Sequence, residues 1–483
     1  MRINKIAASI ITLGMAASPF AYATNGMNME GYGPVSTAMG GASMAYDNGS
    51  AAMMNNPATI GLMPNGSRLD VAVGVMGPKV KSEAGGATAD SSGDAYYMPA
   101  LGYLRKDGPM AYGFGVFAQG GMGTEYGSNS FMSAGSGNEV RSEVGVGRAL
   151  VPLAYDVNEQ LAVGGSVDFV WASMDLKMVM PGAQFLDMAG SFGGSQTLGS
   201  VGNTMMTAFG GAVGTGFING ANPVNWGYFD FSNGDKFSGK AKGNGFAAKI
   251  GFTYKLNSQV TIGGTYHSKT SLSDLEADGA KVSFNANLDD GMLGGGAASG
   301  TYTAMTIPVT GKISVKNFQW PETYGMGVAY QANDQLLVVA DYKRIGWKAV
   351  MKDFKMTFVA DGTQANPLAA GFAGTTLDAT LYQNWKDQDV IMLGAAYKAT
   401  QELTLRAGLQ TSGNPVPDAY LNALFPAIVK DQYTLGGGYM FNAASSFDMS
   451  VTIVPEVSAT NPNTGVTSKM SQTNYQLLYS YRF

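Results

Sequence analysis

The sequence predicts an all-β fold, a transmembrane antiparallel β-barrel of about 14 strands with an N-terminal plug inside its lumen. Charged residues make up only 13% of the 483 residues, against about 25% in soluble domains. Mean hydropathy is nonetheless close to zero. From about residue 67 onward, apolar and polar residues alternate with period 2, which is typical of strands. Strands with lipid on one side and a polar lumen on the other explain all three observations.

The first residues predict a signal peptide over 1–23. Arg2 and Lys5 form a basic start, Ile6 to Met15 is apolar, and Ala21-Tyr22-Ala23 supplies a small-x-small cleavage site. A retained membrane anchor is the alternative, but a spanning helix needs about 20 apolar residues. We therefore expect an exported protein.

The residue types present argue against metal, cofactor and nucleic-acid chemistry. The chain has no cysteine and one histidine, so a disulfide scaffold is excluded and a zinc, haem or iron–sulfur site is not expected. No basic patch interleaved with aromatic residues suggests nucleic acid. We expect no cofactor, no metal and no nucleic-acid partner.

The last strand shows the alternation most clearly. One face carries mainly apolar and aromatic residues, namely Thr473, Tyr475, Leu477, Tyr479, Tyr481 and Phe483. The other face carries Asn474, Gln476, Ser480 and Arg482, with Leu478 as the exception. A Tyr-rich outer face ending in a terminal Phe resembles the signal read by the outer-membrane barrel assembly machinery, which we expect as a partner. The alternative is a terminal strand of a soluble sandwich.

Thirteen further segments alternate in the same way. With the last strand, the predicted strands lie near 67–76, 93–105, 109–119, 139–156, 160–177, 237–256, 259–275, 310–331, 334–350, 385–398, 402–412, 431–442, 446–457 and 469–483.

The connections between these strands alternate between short and long. Short turns such as Lys106-Asp107-Gly108 and Asn158-Glu159 face one side. The long connections cover about 77–92, 120–138, 178–236, 276–309, 351–384, 413–430 and 458–468. This sorting predicts a barrel over 67–483 with both termini in the periplasm and seven outer loops, the largest at about 178–236 and 276–309. A soluble sandwich has no reason to sort its loops.

Two segments fall outside the strand pattern. Residues 24–66 are rich in Gly, Ala, Met and Asn, and a wide barrel has room to hold such a segment as a plug or hatch. The loop 178–236 carries many apolar side chains, which an outer surface does not normally expose. We interpret it as a flexible apolar binding site, with a small core that packs the loop on itself as the alternative. The candidate ligand-binding residues are Met178, Met180, Phe185, Leu186, Met188, Phe192, Phe209 and Phe217.

An ordered set of short motifs resembles one family of transporters. The motifs are Gly31-Tyr32-Gly33, Ala38-Met39-Gly40-Gly41-Ala42, Asn56-Pro57-Ala58, Gly121-Met122-Gly123-Thr124-Glu125-Tyr126 and Trp320-Pro321-Glu322, followed by Gly327, Tyr330, Asp341 and Trp347. They cover nearly the whole mature chain. Together they resemble the FadL/TodX (OmpP1-type) family of outer-membrane transporters of long-chain fatty acids and hydrocarbons.

The resemblance implies a mechanism. A hydrophobic ligand is captured by the outer loops, the plug moves, and the ligand leaves sideways through a gap that a kinked strand makes in the wall. It implies a plug and gate at Asn56, Pro57, Ala58, Gly121, Met122 and Gly123. From the residues alone, Asn56-Pro57 also reads as a simple turn. The glycines of the third strand could equally make room for the plug.

The ligand's head group is where the chain departs from the family. Fatty-acid transporters of this type carry basic residues toward the top of the fifth strand, where this chain has Ser173, Met174 and Asp175, with Lys177 nearby. The resemblance therefore does not imply a binding site for a ligand carboxylate at this position. An uncharged hydrocarbon, or an acid held by Lys312 or Lys316, stays open.

Other functions fit the sequence less well. A barrel enzyme needs a nucleophile and a base, but the single histidine, His267, is predicted to face the lumen, so we expect no enzyme. A general diffusion porin for small polar solutes favours charged rings around an open pore, whereas this chain has few charges and a plug. The sequence therefore predicts a monomeric uptake channel in the outer membrane of a Gram-negative bacterium, in contact with lipid and lipopolysaccharide.

Overall fold

Strands make up most of the chain, as the period-2 pattern predicts. The structure is a computed structural model that describes residues 25–187, 198–199, 203–235 and 238–483. The predicted signal peptide and two candidate ligand residues, Met188 and Phe192, lie outside the described residues. The strands are β1 (Gly66–Ala84), β2 (Ala87–Asp90), β3 (Tyr96–Asp107), β4 (Met110–Tyr126), β5 (Val140–Asp156), β6 (Leu161–Pro181), β7 (Leu198–Gly199), β8 (Val224–Asp230), β9 (Ala241–Lys255), β10 (Val260–His267), β11 (Ser271–Leu272), β12 (Leu275–Asp289), β13 (Tyr302–Lys316), β14 (Thr323–Asn333), β15 (Leu336–Ile345), β16 (Asp353–Ala360), β17 (Thr376–Tyr382), β18 (Gln388–Lys398), β19 (Leu403–Ser412), β20 (Gln432–Met440), β21 (Ser445–Thr460) and β22 (Thr467–Arg482).

The helices are short and lie between the strands. The described α-helices are α1 (Pro34–Thr37), α2 (Gly182–Asp187), α3 (Thr204–Gly214), α4 (Asp290–Leu293) and α5 (Trp347–Val350). The 3-10 helices are Gly49–Met53, Pro57–Leu62, Phe131–Ser133, Pro367–Phe372 and Asp418–Tyr420. Of the helices that the structure describes, none has both the length and the apolar character needed to cross a bilayer.

Antiparallel pairing closes the wall into a barrel. Among the described residues, the closed ring runs β1, β3, β4, β5, β6, β9, β10, β14, β15, β18, β19, β20, β21 and β22. It closes where β22 pairs with β1, from Arg68–Arg482 to Glu83–Thr467. Closure gives every strand of the ring a partner on both sides, so no strand is left as a free edge in the bilayer.

The wall has the two faces that the alternation predicts. On β22, Tyr475, Leu477 and Tyr479 are exposed toward the lipid side, whereas Asn474 and Gln476 are buried inside. Leu478, the exception in the sequence pattern, is also buried inside. The predicted transmembrane antiparallel barrel is therefore confirmed.

Two predicted strands were wrong because the chain breaks within them. The segment 310–331 ends as β13 at Lys316 and starts again as β14 at Thr323. The segment 259–275 ends as β10 at His267. Pro321, which lacks a backbone donor, lies in the first break. The backbone nitrogen of Thr270 donates to the oxygen of Trp320 (3.1 Å), so the two breaks face each other.

The largest outer connections are folded rather than irregular. The predicted loop 276–309 is mostly the β12–β13 hairpin, and 351–384 contains the β16–β17 hairpin. The predicted loop 178–236 contributes β8, which pairs with both β6 and β12. The same sheet therefore continues outward beyond the ring, and the β13–β16 pairing extends this outer part of it. Val282, Phe284, Ala286 and Leu288 are all buried at period 2, so the strand signal was present in the sequence.

An aromatic core holds this outer sheet together. Phe284 stacks on Phe185 with ring centroids 5.7 Å apart, and it meets Phe209 and Phe372 edge to face at 5.5 and 5.1 Å. All four rings are buried. Such offset and edge-on pairs add to the burial of apolar area, so the outer segments form a packed body above the barrel.

Candidate functional site: the plug segment and the wall gap

Residues 25–65, here called the plug segment, precede β1 and fill the lumen. Polar groups of the wall hold its backbone. The Oδ2 atom of Asp341 accepts from the backbone nitrogens of Ser43 (2.6 Å) and Met44 (3.0 Å). Asp70 accepts from the nitrogen of Ser50 at 2.9 Å. These bonds satisfy backbone groups that the irregular segment would otherwise bury unpaired.

The motif Asn56-Pro57-Ala58 is one of these attachment points. Asn56 caps the 3-10 helix that Pro57 begins, because its side chain accepts from the nitrogen of Ala58 at 3.1 Å. Its amide also donates to the backbone oxygen of Met44 (2.8 Å) and to that of Phe252 on β9 (3.0 Å). All three residues of the motif are buried.

Glycines in the wall make room for the plug segment. A Cβ at Gly263 would lie 1.9 Å from the oxygen of Met44, and one at Gly164 would lie 2.6 Å from the nitrogen of Ala58. Gly408 would place its Cβ 2.1 Å from the nitrogen of Gly40. Side chains at these positions would collide with the plug backbone, so the wall and plug surfaces fit only with glycine.

The wall is incomplete between β3 and β4. These strands pair only from Ala100–Phe117 to Asp107–Met110. From Ala118 to Tyr126, the only strand that pairs with β4 among the described residues is β5. The register between β4 and β5 shifts between Ala118 and Gly120. Residues 96–99 of β3 and 118–124 of β4 therefore do not pair with each other, and we call this unpaired stretch the wall gap.

The start of the plug segment partly fills the wall gap. The backbone nitrogen of Gly121 donates to the oxygen of Met27 at 3.1 Å, and Asn28 forms an antiparallel bridge with Gly120. At the outer end of the gap the nitrogen of Ser92 donates to the oxygen of Glu125 at 2.8 Å. The gap is therefore bounded at both ends and faces the plug in its middle.

A cavity of about 650 Å³ lies at the wall gap. Its inner side is mostly apolar and includes Met76, Val80, Val144, Val146 and Met470, all buried, with Gln472 as a buried polar exception. Its outer side includes Phe169 and Trp171, which are exposed on the lipid-facing parity of β6. The cavity thus joins the lumen to the outer surface of the barrel. Its volume lies within the range of about 300–1,000 Å³ typical of small-molecule sites.

A family model described as "Outer membrane protein transport protein (OMPP1/FadL/TodX)" matches residues 10–480. The chain belongs to the FadL/TodX family. Its structure is similar to that of the Pseudomonas putida toluene transporter TodX, with a TM-score of 0.74 and 29% identity over 94% of this chain and 99% of that one. The Ralstonia pickettii toluene transporter TbuX gives a TM-score of 0.72 and 30% identity over the same shares.

Two further relatives mark the limits of the likeness. A Pseudomonas aeruginosa FadL homologue has a TM-score of 0.66 at 17% identity, over 95% of this chain and 100% of that one, which shows the common fold. A Chlorobium limicola protein, an uncharacterized protein in the phosphoenolpyruvate carboxykinase gene 5′ region, is 45% identical over 106 residues. That match covers 21% of this chain, and the chain spans about half the length of that relative. As a FadL/TodX-family protein, the chain is placed in the outer membrane, as the sequence predicts.

The structure places Gly121, Met122 and Gly123 of this FadL/TodX protein on the border of the wall gap. All three line the cavity. A Cβ at Gly121 would lie 2.2 Å from the oxygen of Val144, and one at Gly123 would lie 2.6 Å from the Tyr96 hydroxyl. Both positions are crowded, so the kinked part of β4 requires glycine. The motif Asn56-Pro57-Ala58 is not beside the gap but on the β6–β9 side of the wall.

The predicted ligand residues of the outer loop are brought together, but in a packed core. Met178, Met180, Phe185 and Phe209 are buried, and Leu186 and Phe217 are partly buried against them. Phe185 and Phe209 contact the buried ring of Phe284, and all six belong to or pack against one core. Their role in binding stays a prediction, and the arrangement favours the alternative of a core that packs the loop.

The sequence reasoning missed the inner lining of the cavity. Met76, Val80, Val144, Val146 and Met470 lie on three different strands, and nothing in a single segment marks them as neighbours. The available signal was an apolar residue at an inward position, where a lumen is normally polar.

Charges near the cavity are arranged around one arginine. The guanidinium of Arg141 lies 2.5 Å from Glu143, 3.4 Å from Glu125 and 3.7 Å from Asp175. Glu143 lines the outer mouth of the cavity, and Lys242 lines it from the exposed outer face of β9. One cation is therefore shared by three carboxylates on this side of the wall gap.

The single histidine contacts the plug segment. The Nε2 atom of His267 lies 2.7 Å from the backbone oxygen of Asn55. Behind it, Asp168 pairs with Arg148 (2.7 Å) and with Lys249, and all three are buried. Among the described residues, no three histidine, cysteine or acidic side chains are grouped to hold a metal ion.

Proposed function

We propose that this protein takes up small, uncharged hydrophobic molecules and releases them sideways through the wall gap. The observation that carries the proposal is the cavity, which has buried apolar residues on its lumen side and exposed aromatic residues on its lipid side. A solute that crosses there stays out of bulk water, where each exposed methylene costs about 0.8 kcal/mol. The toluene transporters TodX and TbuX share the fold and support the same class of ligand.

The charges around the cavity support an uncharged ligand over a fatty acid. An anionic head group at the outer mouth would meet Glu143, whose partner Arg141 is already shared with Glu125 and Asp175. Like charges at close range are unfavourable where water is excluded. Lys242 offers a cation only on the exposed face outside the barrel.

The outer loops supply the proposed capture step. Leu186 and Phe217 lie at the edge of the outer core and are only partly buried. A ligand that enters beside them would reach the cavity past Pro426 and Ala427, which line it from the connection between β19 and β20. We further propose that the channel acts as a monomer, is inserted by the barrel assembly machinery and contacts lipopolysaccharide.

The experiment is uptake of radiolabelled toluene and oleate by cells whose outer membrane carries the full chain. Gly145 lines the cavity on the outward parity of β5, and a Cβ there meets nothing nearer than the Ser173 hydroxyl at 3.9 Å. Gly145→Trp therefore fills the exit without a backbone clash. Ala248→Trp, on the exposed lipid face of β9 and away from the cavity, is the matched control.

We expect Gly145→Trp to lose toluene uptake and Ala248→Trp to keep it. We expect neither variant nor the wild-type protein to take up oleate. Uptake of oleate alone would assign the channel to fatty acids. If small sugars pass through the intact protein and neither hydrophobic probe enters, the protein is a diffusion porin and the proposal fails.

A further inference from the structure

We propose that Trp320 is the latch of the channel, a positioning residue whose indole N–H holds the start of the plug segment across the wall gap. The inference rests on the proposed function, since it names the contact that must break before a ligand can leave. It is carried by the hydrogen bond from Trp320 Nε1 to Asn28 Oδ1, which is 2.6 Å long.

The start of the plug segment is a separate small unit. Asn25 and Asn28 exchange two backbone hydrogen bonds of 3.2 Å, and Gly26 between them has φ +67°. Through Met27 and Asn28 this turn takes the place of the strand partner that β4 lacks. Gly26 also lines the cavity, so a ligand in the cavity touches the turn directly.

The rest of the plug segment is held to the wall at several points farther along the chain. Asp341 binds Ser43 and Met44, Asp70 binds Ser50, and Asn56 binds Phe252. Opening the wall gap does not require these bonds to break. It requires that the turn leave Gly120 and Gly121. The side chain of Asn28 ties that turn to Trp320 beside the gap, and the side chain of Asn25 contacts that of Gln410 at 2.7 Å.

Trp320 is itself fixed in place. Its backbone nitrogen donates to the hydroxyl of Thr270 at 2.7 Å, and its oxygen accepts from the nitrogen of Thr270. Its ring is fully buried and lies against Trp347, with centroids 5.6 Å apart. A Cβ at Gly120 would lie 3.2 Å from the Cζ2 atom of Trp320, so the ring also backs the kink in β4. A rigid donor of this kind holds Asn28 in place beside the wall gap.

The test uses a probe that does not depend on transport. The chain has no cysteine, and Met27 is buried, so Met27→Cys gives one thiol that reacts with a maleimide when the turn moves out. The purified full chain is compared with and without Trp320→Phe, which keeps most of the ring and removes the donor. Trp385→Phe is the matched control, because Trp385 is equally buried and its indole nitrogen has no partner among the described residues.

Loss of the donor leaves the Asn28 oxygen buried and unpaired, so the opened state should gain about tenfold in population. We expect labelling of Met27→Cys to be about tenfold faster in Trp320→Phe than in Trp385→Phe. Asn28→Leu should reproduce the increase, and Asn28→Asp, which keeps an acceptor, should not. Asn28→Leu also serves if Trp320→Phe does not fold.

Equal labelling rates in Trp320→Phe, Asn28→Leu and Trp385→Phe would overturn the latch even where the wild-type channel takes up toluene. Conversely, labelling could be faster in Trp320→Phe although the wild-type channel takes up no toluene. That result would support the role of Trp320 and reject the proposed ligand. The two proposals therefore fail separately.

Discussion

Asp341 on the wall accepts a 2.6 Å hydrogen bond from the backbone nitrogen of Ser43 in the plug segment. The same oxygen also accepts from Met44 at 3.0 Å. We expect Asp341→Ala to loosen the plug, because each buried N–H left unpaired costs about 1–3 kcal/mol. Asp389→Ala, which removes an exposed partner of Arg344, should cost about 0–1 kcal/mol. Leakage of small sugars into protein-containing liposomes measures the difference, and equal leakage from the two variants would contradict the anchoring role.

The wall glycines give a second prediction. Gly263→Ala places a methyl 1.9 Å from the oxygen of Met44, and overpacking of this kind costs about 1–3 kcal/mol. The plug segment or β10 must shift, so the unfolding temperature should fall. Gly74→Ala, where the nearest atom lies 3.4 Å away, is the control. The prediction fails if both variants unfold at the wild-type temperature on heating in detergent.

A cross-link can show whether the end of the plug segment moves. A Cβ at Gly61 would lie 3.8 Å from the Cβ of Ala154, close to the mean of about 3.8 Å in disulfides. We expect Gly61→Cys with Ala154→Cys to form a disulfide and to leave toluene uptake unchanged, because Asn56 already fixes this region to β9. Uptake that stops on oxidation and returns on reduction would instead place the gate at Asn56-Pro57-Ala58.

The outer core should behave as one packed unit. Phe284 contacts Phe185, Phe209 and Phe372, and Phe→Ala at a buried site costs about 3–5 kcal/mol. We expect Phe284→Ala to expose the outer hairpins to protease while the barrel stays closed. Phe441→Ala, on an exposed ring, is the control. Cleavage confined to residues 178–236 and 276–384 would agree with this expectation. If protease leaves Phe284→Ala uncleaved, the outer core does not depend on this ring.

The tip of the β12–β13 hairpin should lose order in acid. Backbone donors, chiefly the nitrogen of Ser299, lower the pKa of Asp289 to about 2. Asp289 belongs to the outer hairpin, beyond the closed ring. Because the folded pKa lies below the ordinary value, the stabilisation is complete above the ordinary value and is lost as the pH falls toward about 2. Hydrogen exchange of residues 290–301 should therefore rise over that interval, and Asp289→Asn should abolish the step.

Much of the barrel follows from local pattern. The alternation of Tyr475, Leu477 and Tyr479 with Asn474 and Gln476 fixes which face meets lipid, because strand geometry has period 2. The same rule, applied to Val282, Phe284 and Ala286, would have found the outer hairpin. Length alone does not make a connection irregular, because this one is a paired hairpin.

The site follows from the sequence only in part. The glycines at 121 and 123 signal a kink, since glycine weakens strand pairing. The wall gap itself depends on which strands lose partners, and that is a property of the closed ring. Trp320 and Asn28 are 292 residues apart, so no local pattern could pair them.

The fit between wall glycines and plug backbone has a consequence for biogenesis. The plug segment precedes β1, and β1 is one of the two strands that seal the cylinder by pairing with β22. Gly263, Gly164 and Gly408 bring the wall into close contact with the plug backbone, which disfavours threading the segment into a finished cylinder. We therefore expect the segment to be enclosed before the seam shuts, so that insertion into the membrane and loading of the lumen occur together.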